Sequence, residues 1–545
     1  MGLFFITLVG AIFRLVGINK LQGLWNDEYI SWAIASTSFS DGFVSAVKSQ
    51  CHMPLYYMYL KTFMAWFGQS DLALRLSSFV LGICGIVAMY FVGRTRDKKT
   101  GLVAATFTAI SSFAIYYSQE VRLYSLLFLI SAISLLYFVK FVKERSVTNL
   151  LGLIIFDFLI IFTHTIGFVF VFFQLIALSV LLFKDYKKQL GIIWASLGLF
   201  AVICTPQVWA ILGAKTFSQW WGSFSFSKIV FLFTDYFSPV LTNLVNAPDE
   251  VFYVKTFGFI MFTFVPTAIA LFFLGKSLFQ KDKMNLTLLI PTIGFVAVMS
   301  VASIMGKLVF ITKYSVEIYP ILIFLTACGV CSFKKKVYAW ILFSLYCLIN
   351  LTYLVISPTS APKIPRLQGH KIVADLLNRS NLKKGDVIIL EYYGADRFGK
   401  YFDFSDYKVV EINKANFGEY LAEGADYKKT YENGKELFRD TFLGKNTDYF
   451  ERTLNSRADL DNLEENRHVV VISADCVALY NRHAVLDIAK DDFRYEKTPL
   501  MYLAFSYVKN QVAEDLMKSL KVSRAEKSGD WSLIEFTKVN KRGKK

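Results

Sequence analysis

Long apolar runs recur along the first two-thirds of the chain and are separated by short polar segments. A transmembrane helix needs ~17 to 25 mostly apolar residues to cross the hydrocarbon layer of a bilayer. Eleven such windows can be placed, at residues 2–19, 71–93, 100–117, 123–142, 148–164, 165–183, 190–211, 256–275, 286–306, 314–332 and 337–357. The pattern predicts a polytopic α-helical membrane protein with about 11 transmembrane helices.

Beyond the last apolar window the pattern changes. Residues 358–545 alternate short strand-like apolar runs with charged, helical stretches. The strand-like runs are residues 386–390 and 468–472, and the helical stretches are residues 369–378 and 511–520. The alternation predicts two domains, a membrane domain over residues 1–357 and a soluble α/β domain over residues 358–545.

Composition agrees with this division and excludes several classes of protein. The chain is 54% hydrophobic and 17% aromatic, with a mean hydropathy of +0.43. A disordered chain is excluded and an ordinary soluble enzyme is disfavoured. Of the net charge of +16, residues 1–357 carry most, with 27 basic and 14 acidic side chains. These basic residues lie in short loops between apolar runs, so the pattern argues against nucleic-acid binding.

The basic loops also predict the orientation of the membrane domain. With eleven spans, five basic clusters fall on one side of the membrane, and positive loops face the cytoplasm. The clusters lie at residues 94–99, 140–145, 184–188, 276–283 and 334–336. The opposite, extracytoplasmic side then receives loop 20–70, loop 212–255 and the α/β domain. We expect a multi-pass protein of the cell's inner (plasma) membrane.

Polar side chains able to do chemistry collect on that predicted outer side. Loop 20–70 carries the adjacent acids Asp27 and Glu28, which taken alone are typical of a helix N-terminus. The other conspicuous polar groups on this side are His52, Tyr57, Tyr117, Gln119, Glu120, Arg122, Tyr124, His164, Lys313 and Tyr314. Each has a structural alternative, such as a local ion pair or a snorkelling lysine. Acids and cations together at one membrane face, however, indicate a substrate site.

These residues carry a family resemblance. The segments concerned are Asp27-Glu28, His52-Met53-Pro54-Leu55-Tyr56-Tyr57, Arg75-Leu76, Tyr117-Ser118-Gln119-Glu120-Val121-Arg122-Leu123-Tyr124 and Lys313-Tyr314. They resemble the bacterial members of the dolichyl-phosphate-mannose protein mannosyltransferase superfamily, which are GT-C-fold glycosyltransferases related to the aminoarabinose transferases of lipid A. The resemblance is dense over residues 20–180 and thin over residues 190–360.

The resemblance implies an integral-membrane glycosyltransferase. Such an enzyme moves a sugar from a polyprenyl-phosphate donor to a glycan, lipid or protein acceptor on the extracytoplasmic side, with inversion. Asp27 would be the general base and Glu28 would orient it or the acceptor. The substrate-binding residues would be His52, Tyr57, Tyr117, Gln119, Glu120, Arg122, Tyr124, His164, Lys313 and Tyr314. Some relatives hold a divalent metal, for which Glu120 and His52 are candidate ligands.

Two positions depart from the family pattern. Met53-Pro54 replaces the usual Pro-Pro, and Lys313-Tyr314 replaces the usual Arg-Tyr. The second change exchanges a bidentate phosphate donor for a point charge. A transporter or flippase of a lipid-linked or polar solute is the alternative function. Paired inverted halves and spans interrupted at mid-membrane are typical of transporters, and the sequence displays neither pattern.

Overall fold

The computed structural model describes residues 1–19, 23–40, 42–44, 47, 53–213, 226–240, 256–305, 310–356, 370–392, 395, 398–413, 468–474, 520–528 and 531–538. The chain forms two compact units. One contains Met1–Lys20 and Asp27–Ile364, and the other contains Leu21–Asn26 and Pro365–Lys545.

Helices build the first unit. In chain order they are α1 Gly2–Leu15, α2 Asn26–Ser36, α3 Leu55–Phe67, α4 Asp71–Arg94, α5 Lys98–Ile110, α6 Ser112–Ser118, α7 Tyr124–Glu144, α8 Val147–Thr163, α9 Gly167–Leu182, α10 Lys187–Gly213, α11 Ser227–Phe237, α12 Thr256–Phe279, α13 Lys283–Thr287, α14 Leu289–Ile304, α15 Tyr319–Cys331 and α16 Lys336–Ile356. A 3₁₀ helix, Thr312–Ile318, precedes α15. Each predicted span overlaps a helix or a pair of consecutive helices.

The fold is that of a polytopic helical membrane protein. Among the described residues, seven helices are long and apolar enough to cross a membrane, or up to eight if the bent pair α5 and α6 is one span. Three shorter apolar helices, α1, α8 and α9, lie at predicted spans 2–19, 148–164 and 165–183. The predicted total of eleven therefore remains a prediction, because these three helices are too short to be counted by length alone.

Polar residues in the short loops set where the long helices begin. The Ser70 hydroxyl accepts a hydrogen bond from the backbone N–H of Ala73 and caps α4. The Asp97 carboxylate accepts from the backbone N–H groups of Lys99 and Thr100 and caps α5. Such caps satisfy N–H groups that the first helical turn leaves without partners.

The apolar window 100–117 is not one straight helix. Helices α5 and α6 meet at an angle of 62°. Ser111 lies at the break, and its hydroxyl accepts a hydrogen bond from the backbone N–H of Ala114, which starts a new helix. A serine cap inside an otherwise apolar run thus redirects the chain and carries α6 toward the turn that follows it.

A buried arginine satisfies the backbone at this break. The Arg14 guanidinium, on α1, donates to the backbone oxygens of Thr108 and Ala109, both at 3.0 Å. It also donates to the Ser118 hydroxyl at 3.1 Å. Carbonyl groups left without helical partners are costly in an apolar environment, so Arg14 stabilises the bend.

A five-stranded sheet forms the centre of the second unit. Its strands are β1 Val387–Tyr392, β2 Lys408–Asn413, β3 His468–Ala474, β4 Leu520–Ser528 and β5 Trp531–Lys538, in the spatial order β2-β1-β3-β5-β4. β1 pairs in parallel with β2 and β3, whereas β5 pairs antiparallel with β3 and β4. Helix α17, His370–Asn378, precedes β1 and presents a buried apolar face.

The predicted elements of this unit coincide with observed ones where the structure describes them. The runs at residues 386–390 and 468–472 form β1 and β3, and the stretch 369–378 forms α17. The predicted helix 511–520 lies, except for Leu520 in β4, outside the described residues.

Candidate functional site

A buried ion pair between Arg75 and Glu28 forms one part of the candidate site. Arg75, in the first turns of α4, donates from Nη2 to Glu28 Oε2 at 2.7 Å and from Nε to Glu28 Oε1 at 3.0 Å. Both side chains are fully buried. The backbone N–H of Val121 donates to the same Oε1 at 3.2 Å. Glu28 therefore joins α2, α4 and the turn after α6, and its oxygens are engaged in holding them together.

The neighbouring acid, Asp27, faces two cations at longer range. Its Oδ2 lies 3.7 Å from Arg122 Nη2 and 3.8 Å from Lys313 Nζ. The cations are nearly buried, whereas the Asp27 side chain is 24% exposed. Charge-assisted hydrogen bonds are usually ~2.7–2.9 Å long. The three groups thus face a shared space and do not close on one another, and together they carry one net positive charge.

Arg122 is held in place by α2. Its Nη1 lies 3.3 Å from the backbone oxygen of Asp27 and 3.4 Å from the Ser31 hydroxyl oxygen. The guanidinium carbon lies 6.0 Å from the ring centroid of Tyr124, a cation–π distance. Burial by itself lowers the pKa of Arg122, but the Asp27 carboxylate and the neighbouring tyrosine hydroxyls together outweigh it, and the net shift is upward. Arg122 therefore remains a cation.

Tyrosines wall the same space. Tyr57 is fully buried in α3, and the rings of Tyr117 and Tyr124 meet edge to face with centroids 4.6 Å apart. Burial raises the pKa of Tyr57, so its hydroxyl stays protonated and able to donate. Ring faces beside Arg122 suit an environment that excludes water from a cation.

The 3₁₀ helix that carries Lys313 also carries a second pair. His164, at the end of α8, has its Nδ1 at 2.7 Å from Glu317 Oε1. Glu317 is fully buried, and the His164 ring lies 6.1 Å from the ring of Tyr314. A carboxylate on one ring nitrogen fixes the orientation of a histidine. His164 and Tyr314 thus line the side of the 3₁₀ helix next to Lys313.

The Gln119-Glu120 dipeptide takes a different place. The Gln119 amide nitrogen donates to backbone oxygens at the end of α1, 3.0 Å from Arg14 and 2.7 Å from Val16. This predicted substrate-binding residue is therefore engaged in tethering α1 to the turn after α6. Glu120 is buried next to Gln119 in the same turn.

Glu120 and His52 are the candidate metal ligands predicted from the sequence. His52 lies outside the described residues. Among the residues that the structure describes, no three His, Cys, Asp or Glu side chains are grouped as metal ligands would be. The described residues around Glu120 therefore do not support a metal site there.

Four residues of this neighbourhood were missed or given no role by the sequence. Arg75 lies in one of the segments that carry the family resemblance, and Glu317, Asp235 and Tyr236 lie in none of them. Glu317 is the one charged residue of predicted span 314–332, and an ionisable group inside an apolar span is a usable signal. Asp235 and Tyr236 stand in predicted loop 212–255, where no local pattern marks them.

The sequence of the membrane domain matches a known family. Residues 51–212 match the family described as dolichyl-phosphate-mannose-protein mannosyltransferase. Over these residues the chain is similar to this mannosyltransferase family. The predicted family resemblance is thus confirmed. No curated protein matches the chain in sequence.

Solved structures extend the mannosyltransferase likeness to the fold. ArnT from Cupriavidus metallidurans in the apo state superposes with a TM-score of 0.57 at 10% identity, covering 98% of this chain and 97% of that one. The same protein bound to undecaprenyl phosphate gives a TM-score of 0.52 at 10% identity, with the same coverage. At this identity the likeness shows a shared GT-C fold alone.

Proposed function

We propose that the chain is an integral-membrane glycosyltransferase that moves a sugar from a polyprenyl-phosphate donor to an acceptor hydroxyl. The observation that carries the proposal is the Asp27 carboxylate facing Arg122 and Lys313 across a partly open space. The family match over residues 51–212 and the ArnT-like fold support it. ArnT binds undecaprenyl phosphate, a ligand of the proposed class.

The two cations would hold the phosphate of the donor. A phosphate is a stronger partner for Arg122 and Lys313 than one carboxylate at 3.7 and 3.8 Å, because it brings more charge and more acceptor oxygens. A bound phosphate would therefore draw the cations away from Asp27. Tyr57, Tyr117 and Tyr124 would wall this pocket, with Tyr314 and His164 beside Lys313, and the role of His52 stays a prediction from the sequence.

Asp27 would then be released to act as the general base. The acceptor oxygen attacks the anomeric carbon while its proton passes to Asp27. The bond between that carbon and the phosphate oxygen breaks, and polyprenyl phosphate leaves with the electron pair, stabilised by Arg122 and Lys313. A single displacement inverts the anomeric centre. Glu28, bound by Arg75, would orient the segment that carries Asp27.

The membrane placement belongs to the same proposal. With α1, α8 and α9 counted as spans beside the seven or eight longer ones, the predicted eleven would put loops 20–70 and 212–255 opposite the basic loops. The reaction centre would then lie at the extracytoplasmic surface of the plasma membrane, where a lipid-linked sugar meets a water-borne acceptor. Residues 358–545 would form an extracytoplasmic domain.

The competing function is a transporter or flippase of a lipid-linked or polar solute. That function also places polar groups among helices, but it needs no base beside a phosphate pocket. Asp27, with its carboxylate partly exposed between two buried cations, favours transfer chemistry.

Reconstitution tests the proposal. Purified protein in liposomes is supplied with polyprenyl-phosphate sugars, and donor consumption and sugar transfer are measured. We expect Asp27→Asn to lower the transfer rate by ~10²- to 10⁴-fold, the size of general-base assistance. Asp282→Asn, a carboxylate in a loop of the basic side, is the matched control and should transfer at the wild-type rate.

Two results would overturn it. Transfer at an undiminished rate in Asp27→Asn removes this residue from the base role. Absence of transfer by the wild type with every donor and acceptor class, together with movement of a lipid-linked solute across the bilayer, establishes the transporter instead.

A further inference from the structure

The backbone that carries Lys313 is irregular. The 3₁₀ helix Thr312–Ile318 is kinked at Ser315, where φ is −126° and ψ is 23°. A kink interrupts the regular pairing of backbone groups, and this segment is almost wholly buried. Carbonyl groups freed in such an environment need other partners.

Helix α11 supplies those partners. The Tyr236 hydroxyl donates to the backbone oxygen of Ser315 at 2.6 Å and lies 2.8 Å from the Ser315 hydroxyl. The Thr312 hydroxyl donates to Asp235 Oδ2 at 2.7 Å. Burial raises the pKa of Tyr236, so its hydroxyl keeps the proton that it donates. Two adjacent residues of α11 thus hold both ends of a four-residue segment with Lys313 inside it.

Stacking fixes Tyr236 in turn. Its ring lies parallel to that of Tyr319, with centroids 4.2 Å apart and an interplanar angle of 11°. The Tyr319 hydroxyl oxygen lies 2.9 Å from the backbone oxygen of Tyr236 and 2.7 Å from the Ser111 hydroxyl oxygen. Tyr319 therefore connects Tyr236 to Ser111, the residue at the break between α5 and α6.

The position of Lys313 depends on this backbone. A lysine carries a flexible four-carbon chain and a single point charge. It lacks the planar, two-point contact by which an arginine would orient itself on a phosphate. The position of Lys313 Nζ relative to Asp27 therefore depends on how rigidly the 3₁₀ helix is held.

We propose that Asp235 and Tyr236 are positioning residues that hold the 3₁₀ helix so that Lys313 presents its ammonium group to the donor phosphate. This inference rests on the proposed function, since it assigns the phosphate to Lys313. It adds two residues from a different part of the chain to the machinery of the site. Neither residue needs to touch the substrate.

The test uses the purified full chain in lipid nanodiscs, with Tyr236→Phe and Asp235→Ala as variants, because alanine leaves the Thr312 hydroxyl no acceptor at that position. Tyr236→Phe removes one hydroxyl and keeps the ring that stacks on Tyr319. The matched control is Tyr59→Phe, because the Tyr59 hydroxyl donates to the backbone oxygen of Ser77 at 2.8 Å on the α3–α4 side. Two readouts are taken, deuterium exchange of the amides of residues 312–318 and binding of undecaprenyl phosphate.

We expect faster exchange over residues 312–318 in both variants and not in Tyr59→Phe. Affinity for undecaprenyl phosphate should fall about tenfold, the effect of one hydrogen bond to a polar or charged partner. In a Lys313→Gln background Tyr236→Phe should cause no further loss of affinity, because its effect passes through Lys313. A role in general stability would add to the loss in both backgrounds.

The outcomes separate the two proposals. Unchanged exchange over residues 312–318, or equal losses of affinity with and without Lys313, overturns the positioning role while the proposed function stands. If the wild type binds no undecaprenyl phosphate, the donor assignment falls, and the exchange data alone decide whether α11 holds the 3₁₀ helix.

Discussion

Arginines paired with acids stand at both ends of α4, and the two ends differ in geometry. At its start Arg75 grips Glu28 through two short hydrogen bonds, and both side chains are fully buried. Just past its end Arg96 meets Asp282 at 2.9 Å, with side chains 26% and 32% exposed. The basic loops lie at this second end. Asp27, next to Glu28, approaches its own cations only to 3.7 and 3.8 Å.

The contrast separates charges that hold the fold from charges available to a ligand. Arg75–Glu28 and Arg96–Asp282 are closed pairs, in which each charge is satisfied by the other. Around Asp27 the cations are buried, yet the pairs stay open. Clusters of buried charges that lie beyond ordinary hydrogen-bond distance of one another are concentrated at functional sites.

The largest effect should come from breaking the closed, buried pair. Arg75→Met leaves the Glu28 carboxylate buried without its cation, and we expect a loss of roughly 3–5 kcal/mol in the free energy of unfolding. Chemical denaturation in detergent micelles measures it. Replacing both residues, Arg75→Met with Glu28→Met, should restore most of the loss.

Arg96→Met provides the comparison at the other end of α4. This half-exposed pair should contribute about 0–1 kcal/mol. A loss in Arg75→Met no larger than that in Arg96→Met would refute the distinction between the two ends.

An intermediate effect should come from the open cluster. Arg122→Gln removes one of the two cations proposed for the donor phosphate, so affinity for undecaprenyl phosphate should fall roughly 10- to 100-fold. Stability should change less than in Arg75→Met. Titration of the lipid phosphate into nanodiscs gives the affinity, and Arg96→Gln, which removes an equal charge at the basic side, should bind as the wild type does. Equal losses in both variants would mean that net charge, and not the cluster, governs binding.

The smallest expected effect is the pH dependence of the stabilisation by the half-exposed Arg96–Asp282 pair. The hydrogen bond from Arg96 lowers the pKa of Asp282, and burial opposes the shift only in part. The folded state thus favours the ionised carboxylate, so its stabilisation is fully present above the ordinary aspartate pKa of about 4 and is lost as pH falls through the lower folded value.

We therefore expect the difference in melting temperature between wild type and Asp282→Asn to shrink below about pH 4. Its size should correspond to less than about 1 kcal/mol, because solvent screens both groups. Arg96→Gln should weaken the same pH dependence, and the part due to the backbone N–H of Asn285 should remain. A difference that grows on acidification would contradict the sign of the shift.

The lengths of the apolar runs alone determined the prediction of a helical membrane architecture. The bilayer core offers backbone groups no water, so long apolar runs form helices whose backbones pair internally, and each predicted window overlaps a helix or a pair of consecutive helices. The sequence also marked Asp27, Arg122 and Lys313 as members of one site, because ionisable groups near apolar spans are rare enough to stand out. The family match over residues 51–212 agrees with the motifs that suggested it.

Only the tertiary structure decided how those charges are shared. Asp27 and Glu28 are neighbours in sequence. Glu28 forms a close ion pair with Arg75, whereas Asp27 lies at longer distances from two cations. Nothing local distinguishes them, because their partners come from 47 and 95 residues away along the chain. The Glu317–His164 pair and the hydrogen bonds between α11 and the 3₁₀ helix likewise depend on side chains from separate parts of the chain. Packing between distant parts of the chain determines these partners, and the pattern of residues along the sequence does not reveal them.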